Sequence, residues 1–193
     1  MSEVFFISDL HFGHRSILKY RQREGITTEQ EHSELIFHNI MTVVSKRDNL
    51  WVLGDVAFTK EWLYKLKDIK CRKNLILGNH DEHNMQDYLN VFDSVHAFVK
   101  FREFWLSHCP MHEAELRGRI NVHGHVHKQT IMKDGKPDPR YYNVCVENVD
   151  WKPISLTELK AQTEEMRKIN HEERERLRSA RNATNVSVTD LAV

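Results

Sequence analysis

Five short apolar runs in this sequence are each followed at once by side chains able to bind a divalent metal. They are Ser8-Asp9-Leu10-His11, Gly54-Asp55, Gly78-Asn79-His80-Asp81, Ser107-His108 and His123-Gly124-His125-Val126-His127. Taken singly each is weak: a strand-terminal Asp often caps a helix, and a lone His is more often a surface or satisfied core residue. His125 and His127 are two residues apart, so on a strand they would face the same side, which suits chelation. Gly-Asn-His-Asp is more specific, because Gly78 lets the backbone swing while three polar side chains crowd one spot. Five such groups in this order, each after an apolar run, point to one site.

The elements that must position these groups can be read from the pattern. Val4 to Ile7, Leu50 to Leu53, Leu75 to Leu77, Phe104 to Leu106 and Ile120 to Val122 have the length and composition of buried strands. Between them lie helical stretches. One starts at a Thr28-x-x-Glu31 capping pattern and carries Leu35, Ile36, Ile40, Val43 and Val44 on one face. A second starts near Thr59 with Trp62, Leu63, Leu66 and Ile69 inward. Strands alternating with helices predict an α/β domain, in which ligands gather at the carboxyl ends of the strands.

Beyond His127 the pattern changes. Thr130-Ile131-Met132, a turn at Asp134-Gly135, a Pro137/Pro139 loop and Tyr141 to Val146 read as a hairpin. A second capping box, Ser155 with Glu158, opens a charged helical segment with sparse apolar positions at Leu156, Leu159, Met166, Ile169 and Leu177. This divides the chain into a domain at 1–154, an appended charged helix at 155–181 and a flexible tail at 182–193. The helix either packs one thin stripe on the body or serves as a partner-binding surface that assembles a homo-oligomer.

Composition narrows the classes. The chain has 193 residues, 40% hydrophobic and 29% charged, with Lys plus Arg equal to Asp plus Glu at 28 each, so global charge gives no pull toward nucleic acid. No apolar stretch is long enough to span a bilayer, and nothing at the start resembles a secretory signal, so the expected compartment is the cytoplasm with no membrane partner. Cys71, Cys109 and Cys145 are odd in number and lack CxxC spacing, which argues against a disulfide framework or a zinc ribbon. The 13 histidines stand out.

The ordered groups resemble the signature of the calcineurin-like metallophosphoesterase superfamily: Asp-x-His, Gly-Asp, Gly-Asn-His-Asp/Glu, a lone His, and Gly-His-x-His. The likeness is to its small single-domain members of bacterial and phage type. It spans roughly residues 4 to 153, with Asn143-Val144-Cys145-Val146-Glu147 through Pro153 looking like the family's closing strand. It implies a four-layer α-β-β-α sandwich of two mixed sheets flanked by helices, with the C-terminal helix appended. It also implies two divalent metal ions. Asp9, His11, Asp55 and His127 would hold one, and Asp55, Asn79, His108 and His125 the other, with Asp55 shared. Hard oxygens with imidazole suit Mn²⁺ first, and also Zn²⁺, Fe, Ni²⁺, Co²⁺ or Mg²⁺, with Cys109 a neighbour rather than a ligand.

Such a pair can hold a bridging water as hydroxide for in-line attack on phosphorus. His80 would protonate the leaving oxygen, and Asp81 would hold the His80 imidazole in the needed tautomer. His14 and Arg15 follow closely enough to contact a substrate phosphate, and Arg117 and Arg119 enter the strand leading to His125 and could also approach it. His123 is a candidate neighbour of the ligands, while His83, His96 and His112 have no assigned task. The implied activity is hydrolysis of a phosphate ester, favoured as a small-molecule or nucleotide phosphodiesterase or phosphomonoesterase. A nuclease is the alternative, and would need a basic track. Gly54-Asp55-Val56-Ala57-Phe58 lacks the Asp-Arg of the phosphoprotein phosphatases, and the full ligand set argues against a non-catalytic scaffold.

Overall fold

The computed structural model describes residues 2–189. Strands β1 (Val4–Ile7) and β2 (Asn49–Val52) form where the apolar runs stand, while β3 (Arg72–Ile76) takes in Leu75 and Ile76 but starts three residues earlier, in the polar Arg72-Lys73-Asn74; the three pair in parallel. Ile7 lies opposite Val52 and Val52 opposite Leu75, so the three carboxyl ends are level and the polar residues after them emerge at one edge. β4 (Ser94–His96) extends this sheet in parallel beside β3, and β11 (Ile154–Ser155) closes the other side antiparallel to β1.

A second sheet has the order β10-β7-β6-β5. Its members are β5 (Phe98–Phe101), β6 (Phe104–Ser107), β7 (Ile120–His123) and β10 (Tyr141–Asn143). β6, β7 and β10 are parallel, and β5 is antiparallel to β6. Phe6, Ile7, Val52, Leu75, Phe104, Leu106 and Val122 are all fully buried in one shared core, with Phe6 meeting Phe101 edge-on at 5.7 Å. An isolated bridge between Ser8 and Cys145 ties the sheets together at the edge where the ligands emerge.

Helices flank the sheets. α1 (Glu29–Val43) opens with the expected capping box, the Thr28 side chain accepting from the Glu31 backbone while Glu31 reaches back. α2 (Lys60–Lys65) is capped by Thr59 and buries Trp62 and Leu63, with Trp62 stacking on Phe12 at 5.2 Å. α3 (Met85–Leu89) and α4 (Glu113–Leu116) are short connectors.

The Ser155–Glu158 box starts α5 (Leu156–Gln162), and Thr163, whose hydroxyl donates to Leu159 O at 2.7 Å, separates it from α6 (Glu164–Thr189). The first half of α6 lies against the second sheet: Asn170 donates to Pro139 O at 2.9 Å, Arg167 pairs with Glu103 at 3.3 Å, and Met166 packs on the core. Ile169 is exposed. The side chain of Leu177, and residues 190–193 of the expected tail, lie outside the described residues. Among the described residues no helix is long and apolar enough to cross a membrane.

Two local expectations are corrected. The hairpin at Asp134-Gly135 does not use Tyr141 to Val146 as its second arm. It closes between β8 (Met132–Lys133) and β9 (Lys136–Pro137), because both turn residues have positive φ, 50° and 75°, and such a two-residue turn pairs the residues flanking it at once. The run Asn143 to Glu147 is likewise not one strand. β10 ends at Asn143, Val146–Asn148 is a 3₁₀ turn, and the strand that closes the first sheet is β11.

Candidate metal centre

The seven side chains expected to bind metal converge at the common carboxyl edge, and the backbone there is unusual. Asp9, His11, Asp55, His125 and His127 all have positive φ, between 49° and 71°. Non-glycine residues adopt this left-handed conformation at a cost of order 1–3 kcal/mol each, and such residues cluster at functional sites. His125 and His127 therefore do not share the face of a strand. β7 stops at His123, and the turned backbone after it aims both rings at the site.

Asp9 is fully buried. Its Oδ2 accepts from the His125 backbone at 2.9 Å and from the Cys145 thiol at 3.0 Å, and lies 2.6 Å from the Ser8 hydroxyl. Its Oδ1 has no hydrogen-bond partner, and lies 3.6 Å from His11 Nε2 and 3.9 Å from His127 Nε2. Burial pushes the Asp9 carboxyl up, but His11, the charge of His108, Ser8 and Cys145 outweigh it and hold the group well below the ordinary carboxylate range. Burial, then Asp9, push the Cys145 thiol up, so it stays protonated and donates.

Asp55 lies between two groups. Its Oδ2 is 3.5 Å from His11 Nε2, and its Oδ1 is 3.4 Å from His108 Nε2 while also accepting from the His80 backbone at 2.9 Å. His108 Nδ1 donates to Leu53 O at 2.7 Å, which leaves Nε2 with its lone pair facing the site. Nε2 lies 3.0 Å from Asn79 Oδ1 and 3.2 Å from His125 Nδ1, and those two are 2.8 Å apart. Gly54 permits this approach: at φ 90° it has no Cβ, and one built there would stand 2.4 Å from His108 Nδ1.

The donor set fits divalent metal. Ligands about 2.1 Å from one ion stand about 3.0–3.5 Å from each other, close to the separations here. Asp9 Oδ1 and both ring nitrogens of His11 are buried with no hydrogen-bond partner, a costly state that coordination would relieve at Oδ1 and at Nε2, the His11 nitrogen that faces Asp9 and Asp55. Three sets offer ligand atoms within 4.8 Å of one another: Asp9/His11/His127, Asp9/Asp55/His108 and His108/Cys109/His125. The sequence places Cys109 beside the site, and the structure brings its sulfur to His108 and His125. Burial first, then Asp55 and Asp9, raise the Cys109 pKa and keep it a thiol.

Behind His127 stands a pair that the sequence reading missed. Glu147 accepts from His127 Nδ1 at 3.0 Å and from Arg21 Nε at 2.8 Å, and both Arg21 and Glu147 are almost fully buried. Arg21 also donates to Asp9 O at 2.9 Å, and lies 3.0 Å from His127 Nδ1 and 3.2 Å from His32 Nε2. Burial, then the Arg21 charge, pull the His32 pKa down to about 3, so His32 is neutral and accepts from Arg21. Glu147, in turn, raises the His127 pKa.

Asp81 does not hold the His80 ring. Both its oxygens are taken by backbone N–H groups, from Gly78 at 2.7 Å, Asp55 at 3.0 Å and Val56 at 2.9 Å, so it pins the loop after β2 to the loop after β3. His80 is exposed at the rim, its ring 5.5 Å from Phe58 and 5.8 Å from His11. His14 stacks on Phe58 at 4.2 Å, with Tyr20 beyond it, and burial followed by the nearby His11 lower its pKa. Arg15 is exposed next to it.

Arg117 and Arg119 are not part of the centre: they precede β7 and so lie at its opposite end. His123 is buried, its Nδ1 bonded to Gly124 O. His83 bonds Ala57 O, His96 bonds Ser94, and His112 caps α4.

A comparison with models of known families finds no match. The gene 66 protein of Mycobacterium phage L5 is 32% identical over 169 residues, covering 68% of this chain and 81% of that protein. The uncharacterized protein MJ1445 of Methanocaldococcus jannaschii is 30% identical over 166 residues, covering 81% of this chain and 88% of that protein. Among solved structures, the Aquifex aeolicus protein AQ665, of unknown function, matches with a TM-score of 0.63 and 25% identity over 84% of this chain and 100% of its own. The chain belongs to the family of the phage L5 gene 66 protein and MJ1445.

Proposed function

We propose that this chain is a metal-dependent phosphoesterase of the calcineurin-like type, which hydrolyses a phosphate monoester or diester of a small molecule or nucleotide. The observation that carries this reading is the placement of Asp55, with one carboxylate oxygen toward His11 and the other toward His108. A carboxylate so placed is suited to serve two ions, one held with Asp9, His11 and His127, the other with Asn79, His108 and His125. Mn²⁺ fits this oxygen and imidazole set. When bound, such a pair supplies Lewis acidity toward phosphoryl oxygens and acidifies a water for in-line attack.

The chain's own residues supply the rest. His80, exposed at the rim, would hand its proton to the leaving oxygen. Arg15, exposed four residues after His11, would meet a phosphate oxygen. Phe58, His14 and Tyr20 form an aromatic ledge beside His80 and His11, a face on which a planar leaving group such as a nucleobase can stack. The test is hydrolysis of p-nitrophenyl phosphate and bis(p-nitrophenyl) phosphate after chelation and after re-addition of Mn²⁺, Zn²⁺ or Mg²⁺. Activity is expected to vanish with chelator and return with metal, and a rate indifferent to both would overturn the reading.

A further inference from the structure

A hollow of about 490 Å³ lies between α6 and the turn that leads into β7, lined by Arg117, Arg119, Arg167, His171 and Arg174 with Glu103 at its side. Arg119 stands at the start of β7, whereas the metal centre stands past its end. Four residues of strand at about 3.3 Å each put roughly 13 Å between them.

Four guanidinium groups face one carboxylate here, and that carboxylate is already shared: Glu103 is 3.1 Å from Lys160 and 3.3 Å from Arg167. Among the described residues Arg117 pairs only with the exposed Glu115, at 3.6 Å. Arg119 and Arg174 make no ion pair among the described residues. The Nε atoms of Arg119 and Arg167 are shielded from solvent and have no hydrogen-bond partner. The adjoining hollow, of about 620 Å³, shares Arg117, Gly118 and Arg174 but is neutralised by its own pairs, Lys133 with Glu173 and Arg140 with Glu113 and Asp138. In the 490 Å³ hollow Arg167 shares Glu103 and Arg117 reaches Glu115, but Arg119 and Arg174 have no such partner among the described residues.

Gly118 builds the floor. With φ 81°, it lies so close under the Arg174 guanidinium that a Cβ there would stand 1.9 Å from the nearest nitrogen. Repelling guanidinium groups gathered on such a floor, two with desolvated and unpartnered N–H donors, are arranged for a multivalent oxyanion, which their planar forks can grip in pairs.

We infer that this hollow is a second anion site, separate from the metal centre, that binds phosphate groups of a polyphosphate or of a nucleic acid backbone. The test is calorimetric titration of tripolyphosphate into the metal-loaded protein and into R119Q/R174Q, with competition by ATP and by an eight-residue oligothymidylate. Wild type is expected to show a binding class that the double variant has lost or weakened by at least about tenfold, since two charge-assisted contacts are removed. Hydrolysis of p-nitrophenyl esters and the melting temperature without ligand should stay unchanged. Displacement by ATP alone identifies a free polyphosphate as the ligand; displacement by the oligonucleotide identifies a backbone. Equal binding by wild type and the double variant, or loss of that class on D55N rather than on R119Q/R174Q, would overturn the site.

Discussion

His127 Nδ1 lies 3.0 Å from a Glu147 carboxylate oxygen and 3.0 Å from Arg21 Nη2; protonated at Nδ1 the ring donates to Glu147, which turns its Nε2 lone pair toward Asp9. The same carboxylate neutralises the buried Arg21, so one residue orients a ligand and compensates a charge.

Replacing Glu147 with Gln should weaken metal binding about 10–100-fold, the usual loss when a partner orienting a metal-bound His is altered. It should also destabilise the fold by about 3–5 kcal/mol, because Arg21 would stay buried without its counter-charge. Metal titration and denaturant unfolding of the same variant check both. Unchanged affinity would show that His127 needs no orientation.

His80→Ala should keep its metal and lose rate, by about 10²–10⁴-fold if His80 is the general acid. The loss should be larger for esters with poor leaving groups than for p-nitrophenyl esters. An equal loss for both would remove the proton from its task.

Asp81→Asn should act on stability rather than on proton transfer. Asn offers one acceptor oxygen where Asp81 satisfies three backbone N–H groups, and an orphaned buried donor costs about 1–3 kcal/mol. A lower melting temperature with an unshifted pH profile of turnover is expected. A shifted profile would return Asp81 to the role of orienting His80.

His32 gives a pH dependence with a definite sign. Its pKa is about 3 in the fold against 6.5 ordinarily, so below pH 6.5 the unfolded chain takes up a proton that the native state refuses. This contribution is complete above pH 6.5 and is lost as pH falls toward 3, amounting to about 2–3 kcal/mol near pH 4.5. His32→Gln, whose amide oxygen can still accept from Arg21, should flatten the acid side of the melting-temperature curve. An equally steep fall would assign acid sensitivity elsewhere.

What was legible in the sequence follows from how local the signals are. β3 shows only its end, Leu75-Ile76, since Arg72-Lys73-Asn74 before it are polar, whereas β1, β2, β6 and β7 announce themselves because each is a short, mostly apolar and mostly buried run. β4 and β5 do not: Ser94-Val95-His96 and Phe98-Val99-Lys100-Phe101 are only partly buried and carry no continuous run. The ligand residues could be found because each follows a strand. Arg21 and Glu147 could not, since they are 126 positions apart, and a charged residue in a loop carries no mark of burial until the fold brings its partner to it. The spacing of His125 and His127 was readable, but its cause was not, because a left-handed turn after Gly124 mimics the alternation of a strand.

The most direct test of the central claim is the metal content of wild type and Asp55→Asn after Mn²⁺ loading, measured with ester hydrolysis on the same samples. The shared carboxylate predicts two ions per chain in wild type, at most one in the variant, and a rate lower by at least about 100-fold, as expected when a charge-stabilising group is removed. Two ions and full activity in Asp55→Asn would contradict the account.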